Sequence, residues 1–69
     1  MSLYDYRASE RLYNADEPFY GLVMTAMRKA DDVNLPLLKA AFPEIWEELQ
    51  ARYNAPGGVL PEDNVEVPT

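Results

Sequence analysis

An uncharged apolar stretch near the middle of the chain most constrains its fold. Residues 19–27 contain no charged side chain, and Phe19, Val23 and Met27 recur at helical spacing among further apolar residues. A helix that is apolar around most of its circumference is normally buried, so we expect neighbouring helices to surround it. Residues 18–30 are therefore predicted to form the central helix of the fold.

Local signals refine this central helix. Asp16 or Glu17 is expected to cap it, and Pro18 suits its first turn, where a missing N–H costs nothing. Gly21 lies inside the helix at a cost of up to about 1 kcal/mol relative to alanine. We expect the glycine to be there because another helix crosses closely at that point.

Three further helical segments flank the central helix. Residues 2–14, 35–42 and 43–53 each carry apolar side chains at helical spacing, and either Ser2 or Asp5 can cap the first. Pro43 either kinks one helix or starts a new one, and both alternatives remain open. No alternating strand pattern of useful length occurs. The predicted fold class is all-α, a small bundle of three to four helices, with Asp32 or Asn34 capping the third.

The C-terminal segment differs in composition from the rest. Residues 54–69 hold three acids and no base, with prolines and no periodicity. Such a segment buries too little apolar surface to offset its ordering entropy. We therefore predict a helical domain over residues 1–56 and a flexible acidic tail over 57–69. Asn54 is expected to end the last helix in the left-handed conformation.

The chain of 69 residues contains neither cysteine nor histidine. Disulfides, zinc sites built from cysteine and histidine, and nucleophile–base pairs built on them are therefore excluded. The carboxylates follow the pattern of solvated surface charges. We expect a protein that is not an enzyme and that uses no cofactor or metal. Chains this short often gain stability from disulfides, a bound metal or oligomerisation, and oligomerisation is the one of these that the composition still allows.

The formal net charge is −6, and no basic stripe occurs. Affinity for a phosphate backbone comes largely from lysine and arginine, so direct nucleic-acid binding is not expected. No apolar run approaches the roughly 20 residues that span a bilayer, and the first residues lack the pattern of a signal peptide. A cytoplasmic protein without a membrane partner is predicted.

Tyrosine is unusually frequent, with five in the chain. Tyrosine is enriched at protein interfaces, although rings at the rim of a thin core with hydroxyls in water explain the count equally simply. Arg28 and Lys29 form the only basic pair, whose alternative role is to stabilise the C-terminus of the central helix. The candidate partner-binding residues are Tyr4, Tyr6, Tyr13, Arg28, Lys29 and Tyr53.

Several short motifs carry a resemblance to a known group of proteins. They are Phe19-Tyr20, the run at residues 26–31, Ala41-Phe42-Pro43 and the run at residues 52–58. Over residues 9–58 the chain resembles small uncharacterised proteins carried on bacterial conjugative transposons and related mobile elements. The resemblance implies a bacterial cytoplasmic setting and an accessory role beside the genes of such an element. It carries over no activity, ligand or site residue.

These observations predict a small accessory or regulatory protein that acts by binding another protein. A first alternative is an acidic competitor that occupies the nucleic-acid groove of a basic partner, with Glu44, Glu47 and Glu48 in place of phosphates. A second is a direct DNA-binding regulator that uses Arg28, Lys29 and Arg52. Homodimerisation is compatible with all three, because a second copy covers apolar surface that a small core leaves exposed.

Overall fold

The structure is a computed structural model that describes residues 2–66. Over this range the chain is helical, and no strand occurs in it. The elements are α1 (Leu3–Asn14), α2 (Phe19–Lys29), α3 (Asn34–Ala41), α4 (Pro43–Tyr53) and two 3₁₀ helices, Pro56–Gly58 and Pro61–Glu66. The predicted all-α class is confirmed.

A small core lies between α2, α3 and α4, which pack against one another. Val23 and Met27 from α2 and Leu49 from α4 are its buried side chains. Six half-buried apolar residues surround them: Met24, Leu35, Leu38, Phe42, Ile45 and Trp46. The predicted apolar stripe of the fourth segment therefore faces the core.

Helix α1 stands apart from this core. Within residues 2–66, no Cα atom of α1 lies within 8 Å of a Cα atom in another helix, and α1 has no buried residue. The packed unit is therefore α2–α4, and α1 does not join it as the predicted bundle requires. A capping box forms the start of α1, where the Ser2 hydroxyl accepts from the Asp5 amide at 3.2 Å and the Ser2 amide donates to the Asp5 carboxylate at 3.1 Å.

The expectation that neighbours surround α2 is wrong. Val23 and Met27 are buried, but Phe19 and Tyr20 are 61% and 57% exposed. The packed helices α3 and α4 cover one side of α2 only, because α1 does not close over the other. Phe19 and Tyr20 flank the buried face, close to Phe42. The side of α2 toward α1 carries Leu22 and Ala26 together with the polar Thr25 and Lys29.

Two predicted helix caps are replaced by others. Pro18 itself holds the N-cap position of α2, with no side-chain cap, so neither Asp16 nor Glu17 caps that helix. The connection instead turns at Asp16, which has φ 58°. At α3, Asp31 accepts from the amides of Val33 and Asn34 at 3.1 and 2.8 Å. These hydrogen bonds lower the pKa of Asp31. Val33 holds the N-cap position of α3 with no side-chain cap, so neither Asp32 nor Asn34 caps that helix.

The open question at Pro43 is resolved in favour of two helices. Phe42 has φ −132° and ψ 63°, which breaks the helical path, and Pro43 is the first residue of α4. A proline without an N–H is tolerated at that position. The bend lets α3 and α4 pack against each other and share Phe42 with the core.

Two further expectations, for Gly21 and for Asn54, are wrong. A Cβ atom on Gly21 would lie 3.2 Å from Cγ of Pro18, one turn earlier in the chain, so no other helix crosses there. Asn54 has φ −90° and is right-handed. The left-handed residues after α4 are Gly57 and Gly58, with φ 63° and 73°.

Among the described residues, the helices are all too short or too polar to cross a bilayer.

Candidate functional site

Helix α1 presents large apolar side chains to solvent. Tyr4 and Tyr13 are 74% and 82% exposed, and Leu3, Tyr6 and Leu12 are also exposed. At about 100° per residue, Tyr4, Ala8 and Leu12 lie along one face of the helix. The Arg11 guanidinium lies 6.0 Å from the centre of the Tyr4 ring, at the edge of that face. The structure therefore brings three of the six predicted partner-binding residues onto one exposed helix.

An open cleft separates α1 from α2. Its volume is about 670 Å³. Leu12 and Tyr13 line it from α1, and Leu22 and Ala26 line it from the uncovered side of α2. Lys29 borders it near the end of α2. We call these five cleft residues, together with the face of α1 that carries Tyr4, Ala8 and Leu12, the α1 surface.

The remaining predicted residues form a second, smaller group. The Arg28 guanidinium lies 5.9 Å from the centre of the Tyr53 ring, which is 76% exposed. Both residues border a hollow that also contains Trp46 and Leu49. A cation over an aromatic face is a weak attraction of about 0.5–1 kcal/mol at exposed sites. Arg28 and Tyr53 are thus placed away from the tyrosines of α1, and the predicted set divides into two surfaces.

An ion-pair cluster ties the segment after α4 back to that helix. Arg52 Nη1 and Nη2 donate to the two carboxylate oxygens of Asp63 at 2.6 and 2.9 Å, and Nε donates to Glu48 at 2.8 Å. Arg52 also donates to the Gly58 carbonyl at 2.8 Å, while the Leu60 amide donates to Asp63 at 2.9 Å. We call this cluster the Arg52 clasp.

The Arg52 clasp alters the acidity of its members. The bidentate hydrogen bonds from Arg52, together with the Leu60 amide, lower the pKa of Asp63 from its ordinary 3.8 to about 2. Hydrogen bonds with Asp63 and Glu48 raise the pKa of Arg52. The clasp holds residues 58–63 against α4, within the segment predicted to be a flexible tail; residues 67–69 of that tail lie outside the described part. Sequence reasoning missed the clasp, because a pair eleven residues apart across two glycines leaves no periodic signal.

Acidic side chains gather beside the clasp. Glu44, Glu47 and Glu48 from α4 line a groove of about 510 Å³ together with Glu62 and Asp63. Arg52 is the single base in the lining. The groove therefore has a negative potential and only one internal counter-charge. We call it the acidic groove.

The features that the described part of the chain offers to a partner are its exposed surfaces. No three histidine, cysteine, aspartate or glutamate side chains within it are grouped as metal ligands would be. Every buried polar side-chain atom there has a hydrogen-bond partner. The α1 surface offers apolar and aromatic contacts, and the acidic groove offers charge.

No protein-family model matches this chain, and neither a curated protein nor a solved structure is similar to it. The likeness to proteins of bacterial mobile elements therefore stays a prediction. The function has to be argued from the geometry of the described residues.

Proposed function

We propose that this chain is a non-enzymatic accessory or regulatory protein that acts by protein–protein interaction through the α1 surface. The observation that carries the proposal is that, within residues 2–66, no Cα atom of α1 lies within 8 Å of another helix while α1 exposes five large apolar side chains. The resemblance to mobile-element proteins supports a bacterial cytoplasmic setting for this role.

The energetics of α1 favour a bound partner. An isolated helix of 12 residues is marginal in water, because nucleation is costly and few hydrogen bonds follow it. Most helical stability in proteins comes from packing an amphipathic face. Burying a side chain the size of Leu12 contributes about 1.5–3 kcal/mol, so a partner that covers Leu12 and two tyrosines stabilises both the helix and the complex.

Site-specific photo-crosslinking tests the proposal. A benzophenone amino acid replaces Tyr13 on α1 in one variant and Leu37 on α3 in the matched control, since Leu37 is 64% exposed but lies outside the α1 surface. After irradiation in an extract of the native host, we expect protein adducts from position 13 and none from position 37. Equal labelling from both positions, or from neither, would refute the assignment of binding to α1.

The acidic groove favours a second candidate function. Five carboxylates converge on one groove, as in a protein that stands in for nucleic-acid phosphates on a basic partner. Such binding weakens with salt, because the Debye length falls from about 10 Å at 0.1 M to about 3 Å at 1 M. We expect the partner to be released over that range and displaced by double-stranded DNA. A complex that survives both treatments would exclude this candidate.

Direct DNA binding is less well supported. Of its three proposed bases, Arg52 is held by Glu48 and Asp63, and Arg28 lies over the Tyr53 ring. A base that is already paired with carboxylates gives little counterion release on binding phosphate. We expect no complex in a gel-shift assay at low salt; a retarded band would reverse the order of these candidates.

A further inference from the structure

We propose that the protein bound by the α1 surface is a second copy of this chain, and that the resulting two-fold dimer is the stable form of the molecule. Each copy contributes an unpacked amphipathic helix and, beside it, an open cleft lined by apolar side chains of α1 and α2 together with Asp16, Glu17 and Lys29. The inference rests on the proposed function, because it names the occupant of the same surface.

The first argument is the accessible surface of the chain. A compact monomer of 7.9 kDa is expected to expose about 4,400 Å². This chain exposes 6016 Å², about 1,600 Å² more than that expectation. One partner of a standard interface buries about 800 Å². The single chain thus exposes, beyond the expectation for a compact monomer, about twice the area that one partner has to bury.

The dimensions of the chain agree with this argument. The radius of gyration is 14.6 Å. A compact domain of this length is expected to have about 11 Å, and one of twice the length about 14 Å. The chain is therefore about as extended as a compact particle of two copies.

The second argument is the distribution of charge. Residues 3–29, which contain α1, α2 and their connection, carry four acids and four bases. The whole net charge of −6 therefore lies on residues 30–69, which include the acidic groove. Two copies meet across the α1 surface without net repulsion, while their acidic regions stay outside the contact. A strongly charged foreign partner finds no complementary net charge on this half of the chain.

The third argument is self-complementarity. A two-fold interface uses the same patch on both subunits, so a helix of one copy has to fit a feature of the same patch on the other. Here Leu12 and Tyr13 belong both to α1 and to the wall of the cleft, opposite Leu22 and Ala26. One interface then covers the Leu12 and Tyr13 side of α1 together with the side of α2 that lines the cleft.

Light scattering of the purified full chain is the primary test. Interfaces of standard area bind with micromolar or tighter dissociation constants, so the dimer should dominate at about 100 µM. We expect a molar mass of twice 7.9 kDa that falls toward 7.9 kDa on dilution. A mass of one chain at every concentration would overturn the inference.

Matched variants locate the interface. Leu12→Glu places a charge in the α1 surface and should weaken dimerisation by at least about 30-fold. Leu3→Glu makes the same change on the same helix, but nine residues away, about 180° around the helix axis. It should alter the dissociation constant by less than about threefold. Circular dichroism spectra check that both variants stay helical. Equal effects of the two substitutions on the dissociation constant would place the interface elsewhere.

Cysteine crosslinking tests the same assignment without disrupting the fold. The chain has no cysteine, so single substitutions report one position each. Ser9→Cys lies in the wall of the cleft and should give a covalent dimer with a flexible bis-maleimide, whereas Ala40→Cys on α3 should not. A flexible reagent is used because a direct disulfide needs the two Cα atoms within about 7 Å. Linkage through position 40 in place of position 9 would refute the α1 surface as the contact.

The dimer inference and the proposed function fail separately. A monomer in solution that forms an adduct with a foreign protein from position 13 overturns the dimer and leaves the proposed function standing. A dimer whose position 13 links only to a second copy supports the dimer and removes the α1 surface as a site for other proteins. A monomer without adducts overturns both.

Discussion

The core of α2–α4 predicts a large and specific loss of stability when Leu49 is shortened to alanine. Leu49 is 6% exposed and packs with Val23 and Met27. Leu→Ala changes at such positions cost about 2–5 kcal/mol, through lost burial and the cavity left behind. A domain of this size has a total stability of about 3–10 kcal/mol. Leu49→Ala should therefore remove about a fifth or more of the free energy of unfolding.

The measurement uses urea unfolding followed by the fluorescence of Trp46, the single tryptophan, which is half-buried beside the core. The matched control is Leu37→Ala, the same change on the exposed side of α3, with an expected loss under about 0.5 kcal/mol. In thermal unfolding, a loss of about 3 kcal/mol lowers the Tm by about 12–24 °C for a chain of this length. Protein concentration is kept equal in all samples, because association shifts apparent stability.

Two results would contradict this reasoning. A loss below about 1 kcal/mol for Leu49→Ala would mean that the site collapses without a cavity or that the core is not packed as described. Similar losses for Leu49→Ala and Leu37→Ala would mean that α3 buries a face that the single chain shows as exposed. The slope of the urea dependence should match wild type in both variants, since it reports the surface exposed on unfolding.

Three further predictions concern local features. Because the pKa of Asp63 is lowered to about 2, the contribution of the clasp to stability should be complete above about pH 4 and be lost as the pH falls toward 2. An NMR titration of the Asp63 carboxyl carbon should have its midpoint at about 2. In Arg52→Gln the midpoint should return toward 3.8. Ser2→Ala removes the capping box and should destabilise α1 by about 1 kcal/mol, seen as faster amide exchange in α1 with unchanged exchange in the core. Gly58→Ala should cost about 1–2 kcal/mol because its φ is 73°; the new methyl group has room, 3.9 Å from the Arg52 carbonyl. An unshifted Asp63 midpoint in Gly58→Ala would mean that the clasp does not depend on that turn.

Local signals in the sequence predicted the helices well. The segment predicted over residues 43–53 is observed as α4 with the same bounds, and the other helices differ by one residue at most at each end. Ser2 is the cap of α1, as suggested. These features depend on residues within one or two turns of each other, so the sequence carries them directly. The N-cap of α3 was missed because Val33, whose side chain cannot cap, holds that position, while Asp31 accepts from the amides of Val33 and Asn34.

Features that depend on distant residues were not predictable in the same way. The apolar circumference of α2 indicates that the helix is covered, but its periodicity does not say which helix covers it or whether that helix belongs to the same chain. The same limit applies to Tyr4 and Tyr13, whose spacing fits a core rim and an interface equally. The pairing of Arg52 with Asp63 needs the turn at residues 57–58, and charge pattern alone does not provide it.

The separation of α1 from the core also has an evolutionary consequence. Effects of substitutions at sites that share no contacts usually add, so changes in α1 leave the packing of Val23, Met27 and Leu49 undisturbed. Selection can then alter the face of α1 without a compensating change at these three buried positions, whereas Leu22 and Ala26, which belong to the α1 surface, would have to change with it. Paired libraries, one varied in α1 and one in the core, would show this as independent tolerance of the two sets of positions. The helix that takes no part in the core of the single chain is thus the part most free to acquire a new specificity.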